Sequence, residues 1–172
     1  YDLLTIIEKE LFKCADGELV DYIQVLDIAK RKADMGYKSE ALVILSKVEE
    51  MINEYEDSYF RKERALLQVA LTKAEIKRTK KTVKEIIFFM DLVAKEQWRD
   101  SQDAYARSLQ VLADLGCKEE LISELNKMEN IFDKEGYYPL VKSFVFNLLA
   151  DALYKVGETH KANDLWFKSH QD

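Results

Sequence analysis

Six cations crowd into residues 73–84: Lys73, Lys77, Arg78, Lys80, Lys81 and Lys84, with Glu75 as the only acid among them. That segment carries +5, leaving −11 for the rest of a chain whose net charge is −6. A basic island on an acidic chain has the chemistry to dock an acidic protein segment, a phosphate group or RNA. No aromatic residue interleaves the run and the whole chain is acidic, which argues against nucleic acid. The competing reading is a solvated turn, with Lys77 and Arg78 complementing the negative end of a helix.

Other reactive residue types are sparse. His160 and His170 stand ten apart, neither with a ligand partner at the helical spacing that builds a zinc site. Both read as solvent-exposed. Cys117 beside Lys118 could be a mildly activated thiol, though a small residue filling a turn accounts for it better. The five glycines are scattered, so no phosphate loop forms. Acid pairs such as Glu49/Glu50 and Glu119/Glu120 are expected by chance among 32 acids, and nothing draws two of them into an apolar cleft. The expectation is no catalytic residue, no metal, no cofactor and no enzyme.

The elements that must carry these residues are helices. With 48% hydrophobic and 34% charged residues, one proline and five glycines, the 172-residue chain reads as all-α, and as one domain. Cys14 and Cys117, 103 positions apart, are not a disulfide framework, so a reducing, cytoplasmic setting is expected. No apolar run approaches the ~20 residues of a membrane helix, so no membrane insertion is expected. No signal peptide is visible. Because the chain opens at Tyr1 directly into a helical pattern, it reads as a domain of a larger protein.

Apolar periodicity marks a leading helix over 1–16, ended by Asp16-Gly17. Four helix pairs follow over 18–57, 58–99, 100–136 and 138–170. The first pair carries Val20, Ile23, Leu26, Ile28, Ala29 and Ala33, then Ala41, Leu42, Leu45, Val48, Met51 and Ile52. Asp57 or Ser58 and Thr79 are candidate helix caps, Arg99-Asp100-Ser101 reads as a break, and Pro139 suits a first helical turn. Small residues at Ala29, Ala33 and Ala41 allow close helix approach beside the shared turn. Trp166 is expected in the core, and Tyr137, Tyr138, Phe144, Phe146 and Trp166 together to close the end of the array. Trp98 reads either as a plug at a repeat junction or as an exposed contact.

The pairs repeat. Ala33-Asp34-Met35-Gly36 returns as Ala113-Asp114-Leu115-Gly116, and more loosely as Tyr154-Lys155-Val156-Gly157. The glycines are 80 and 41 residues apart, which places a hidden copy near Lys77. A period near 40 is the mark of a stacked helical array. In these turns the chain resembles the tetratricopeptide repeat family over roughly residues 18–170, in a divergent form with longer helices. Gly36/Ala41 and Gly157/Ala162 keep the family's glycine-to-small spacing, while Gly116/Leu121 and Lys77/Thr82 depart from it. Seven before the turn, Ala29, Ala70 and Ala150 fit and Leu109 does not.

The resemblance implies a right-handed α-solenoid of antiparallel hairpins, a leading helix plus four, whose first helices line a groove. It implies groove candidates Lys30, Arg64, Arg107, Gln110, Asn147, Asp151 and Tyr154. The family's carboxylate clamp for chaperone tails falls here on Leu26, Lys30, Gln68, Asp103 and Arg107; only Arg107 fits, and Asp103 would repel a carboxylate. The functional expectation is a non-enzymatic module that binds a protein or peptide segment, with a local taste for acidic ligands. Alternatives are a self-associating scaffold and the ligand-sensing part of a bacterial transcription regulator.

Overall fold

The computed structural model describes residues 22–54, 62–93, 98–135 and 139–170. Regular structure among them is all α-helical: α1 (Tyr22–Asp34), α2 (Lys38–Glu54), α3 (Lys62–Ile76), α4 (Lys80–Val93), α5 (Trp98–Asp114), α6 (Lys118–Glu135), α7 (Pro139–Lys155) and α8 (Thr159–Ser169). The expected leading helix over 1–16, the cap at Asp57 or Ser58, Cys14, Tyr137 and Tyr138 lie outside the described residues. The chain divides into two compact units, Tyr1–Lys95 with α1 to α4 and Glu96–Asp172 with α5 to α8.

Three turns share one geometry, and glycine explains it. Gly36, Gly116 and Gly157 have φ of +94°, +66° and +85°, where a Cβ would crowd the following carbonyl. Each glycine N–H donates to the carbonyl three residues back, on Ala33, Ala113 and Tyr154. The next N–H reaches five back, from Tyr37 to Lys32, Cys117 to Leu112 and Glu158 to Leu153, at 2.8–2.9 Å. These paired bonds satisfy the last carbonyls of the outgoing helix. The residue after the glycine also opens the next helix: carbonyls of Tyr37, Cys117 and Glu158 accept from the N–H of Ala41, Leu121 and Ala162. Three residues therefore suffice to reverse the chain.

The fourth copy, at Lys77, is a turn of the same length built differently. Lys77 donates its N–H to the Lys73 carbonyl at 2.8 Å, an ordinary helical bond. Thr79 and Thr82 then cap α4 reciprocally, Thr82 N–H to Thr79 Oγ1 at 3.1 Å and Thr79 N–H to Thr82 Oγ1 at 3.0 Å. The expected Thr79 cap is thus one half of a capping box. A side-chain cap at the incoming helix does the work that glycine does elsewhere at the outgoing one.

Packing follows the repeat. Five residues after each turn position, Ala41, Thr82, Leu121 and Ala162 are buried; seven before it, Ala29, Ala70, Leu109 and Ala150 are buried. In the first unit α1 packs on α2, α2 on α3 and α3 on α4, with α1 also against α3. In the second, α5 packs on α6, α6 on α7 and α7 on α8, with α5 also against α7. Val25, Ala29, Ile44, Leu45, Val48, Ile52, Leu66 and Val69 are central to the first core. Losing one such Leu or Ile side chain to Ala costs about 2–5 kcal/mol.

Two expectations are corrected. Ile23 is exposed, because the buried stripe of α1 runs through Val25, Leu26, Ile28, Ala29, Lys32 and Ala33 and leaves it on the far side. Arg99-Asp100-Ser101 does not break the chain but lies in the first turn of α5. Acidic residues suit the positive end of a helix, so a polar run that reads as a loop also reads as a first turn. Pro139 is the first residue of α7, where its missing N–H is not needed.

Candidate binding surface

The groove candidates fall into two sets, one in each unit. Lys30 on α1 pairs with Glu75 on α3, Nζ to Oε2 at 2.5 Å, so its charge is engaged in joining two helices. Arg64 on α3 and Arg107 on α5 are half-buried, and Gln110 is exposed. Asn147, Asp151 and Tyr154 form one stripe of α7 that meets α8. Asn147 Oδ1 accepts from the Ser169 hydroxyl at 2.9 Å, Asp151 accepts from Trp166 Nε1 at 3.3 Å, and the Tyr154 ring lies 5.6 Å from that of Trp166. Trp166, expected in the core, is half-buried because this polar stripe reaches its indole nitrogen.

The basic island is thinned at one end by the fold. Lys73 pairs with Glu49 on α2 at 2.5 Å and is mostly buried, so it belongs to the α2–α3 contact. Lys77, Arg78, Lys80, Lys81 and Lys84 are exposed around the α3–α4 turn. Lys81 reaches Glu85 at 3.5 Å while remaining 86% exposed. Lys77, Lys80 and Lys84 form no ion pair among the described residues. One turn beyond Lys84, Phe88 is 58% exposed.

Charged pairs elsewhere serve the fold. In the second unit the α5–α6 and α7–α8 turns are linked by Asp114 with Lys155 and by Lys118 with Glu158. Glu158 also accepts from Lys161 at 2.5 Å, and hydrogen bonds from these two lysines hold its carboxyl at about 2, well below the ordinary 4.5. Lys168 on α8 pairs with Glu129 on α6 at 2.5 Å. His160 and His170 are exposed, and the Nδ1 of His170 donates to the Trp166 carbonyl at 2.7 Å. Cys117 is buried.

Sequence reasoning missed two buried ionisable groups. Glu124 is 3% exposed and accepts from the Tyr105 hydroxyl at 2.9 Å, with Lys127 at 3.4 Å. Lys32 is buried and reaches Glu40 at 3.3 Å. The signal lay in the repeat register: where the second unit's first pair has Tyr105 and Glu124, its next has Phe146 and Leu165, and the first unit has Val25 and Ile44 and then Leu66 and Glu85, so Tyr105 is the polar departure at its position. A polar couple in an apolar slot must be mutual.

Among the described residues no group of three His, Cys, Asp or Glu could hold a metal ion, and no helix is long and apolar enough to cross a membrane. No family model matches the chain, and no curated protein or solved structure is similar enough to match it.

Proposed function

We propose that this chain is a non-enzymatic helical-repeat module that binds a protein segment through the basic surface at the α3–α4 turn. Its helix pairs are read as antiparallel hairpins of tetratricopeptide type, stacked in a right-handed solenoid within each unit. The glycine turns and the first-helix contacts, α1 with α3 and α5 with α7, support that reading. The observation that carries the binding site is what the internal ion pairs leave over. Lys30 and Lys73 are engaged by Glu75 and Glu49, while Lys77, Lys80 and Lys84 stand exposed on an otherwise acidic chain. An acidic segment meets this surface with favourable long-range attraction and little desolvation.

Affinity capture from a native lysate tests it. Wild type is compared with Lys77→Glu/Lys80→Glu/Lys84→Glu and with Lys30→Glu/Arg64→Glu/Arg107→Glu, each checked for helicity by circular dichroism. A partner lost from the first variant supports the turn. A partner lost only from the second places binding on the first-helix faces. A second reading, self-association, is favoured by Phe167 at 67% and Tyr154 at 55% exposure on the last two helices. A sedimentation mass that rises with concentration supports it, and a strict monomer removes it.

A further inference from the structure

We infer that α4 offers a docking stripe for an acidic protein segment that carries an apolar side chain, so that the partner is recognised by a charge-plus-apolar pattern. This rests on the reading of the chain as a protein-binding module and names the partner's chemistry. Lys81, Lys84 and Phe88 recur at i, i+3 and i+7, which puts them on one helical face. The buried residues of α4, Thr82, Val83, Ile86, Met90 and Val93, occupy the other. Lys77 and Lys80 extend the positive end of the stripe across the turn.

Phe88 makes the stripe more than a charged patch. It keeps 58% of its surface in water, yet its ring meets Phe89 edge-on at 5.2 Å, and Phe89 packs against the first unit's core. An exposed aromatic braced from behind loses little side-chain freedom when a partner covers it. The Lys81–Glu85 contact leaves Lys81 almost wholly in water and contributes little, so a partner's carboxylate can compete with Glu85 for that ammonium. From Lys81 to Phe88 the helix rises about 10 Å, the reach of a short segment with acids at one end and an apolar side chain at the other. A membrane would need a broad apolar face, and the remaining apolar residues of α4 are buried or half-buried. Single-stranded nucleic acid would need several stacking rings along the positive track, where the stripe has one.

Fluorescence anisotropy with the full chain tests this, using a short labelled peptide of Glu and Asp with one Leu, and the same peptide with Ser for Leu. Lys81→Glu/Lys84→Glu is expected to weaken binding of both peptides about tenfold or more. Phe88→Ser is expected to weaken the Leu peptide several-fold and leave the Ser peptide unchanged, a coupling that a purely structural role would not give. All three substituted residues are exposed, and circular dichroism confirms the helices. Equal binding of the Leu peptide by wild type and both variants overturns the stripe and leaves a protein-binding module with another site. Binding of oligothymidine or phosphatidylserine vesicles, and of neither peptide, overturns both readings. Binding of none of these probes overturns the stripe.

Discussion

Glu124 sets the terms at the scale of single residues. A carboxylate in a core is tolerated only when its oxygens are satisfied, and the Tyr105 hydroxyl supplies one of those bonds from 19 residues away. Tyr105→Phe should therefore cost about 1–3 kcal/mol in urea unfolding, since it takes a donor from a buried carboxyl group. Tyr105→Phe/Glu124→Leu copies the Phe146 and Leu165 of the next repeat and should be more stable than Tyr105→Phe alone, because the group needing the donor is gone. Strictly additive losses would show that the two side chains act independently. Helical spacing put Tyr105 on the buried face but could not reveal its polar partner, since nothing local to either residue encodes a contact between two helices. The turn glycines were legible for the opposite reason: their requirement is local. Beyond its own chain neighbours nothing lies within 4 Å of a Cβ built on Gly116, so Gly116→Ala meets only backbone strain, about 1–2 kcal/mol. A loss of no measurable size by the same unfolding assay would mean that the turn relaxes.

Elements follow from how each turn is closed. Gly36, Gly116 and Gly157 finish the outgoing helix with paired backbone bonds, whereas Thr79 and Thr82 start the incoming one with side chains. The glycine intervals of 80 and 41 residues located all four turns, including the one without glycine, and burial five residues later is shared by Ala41, Thr82, Leu121 and Ala162 even where residue type departs from the pattern. Arg99-Asp100-Ser101 misled because polarity marks a helix's first turn as readily as a loop. Asn147, Asp151 and Tyr154 were expected to line a groove, and their contacts with Ser169 and Trp166 on α8 are a tertiary fact that helical spacing does not encode. The link between the last two turns has a pH signature. Glu158 is held down to about 2 in the folded chain against an ordinary 4.5, so the unfolded chain takes up its proton first as pH falls. Its stabilisation is complete above the ordinary value and is lost as pH falls from about 4.5 through about 2. Urea midpoints of wild type and Glu158→Gln should differ at neutral pH and converge across that window. A difference that stays constant down to the acid end would remove the Lys118–Glu158–Lys161 cluster as the cause.

Charge distribution is the property of the whole molecule that bears on function. A net −6 keeps the chain from behaving as a general polyanion binder, while the +5 of residues 73–84 concentrates attraction in one place. The island was legible from composition alone. Its withdrawal of Lys73 and its extension to Phe88 were not, since both depend on which face of α3 and α4 is buried. The most direct measurement is a titration of the 15N-labelled chain with the acidic Leu-bearing peptide, followed by amide chemical shifts. Docking at the α3–α4 turn predicts saturable shifts confined to residues 77–88 and their immediate neighbours, reduced by added salt as exposed charge contacts are. Shifts centred instead on Arg64, Arg107 and Gln110, or no shifts at all, would contradict it.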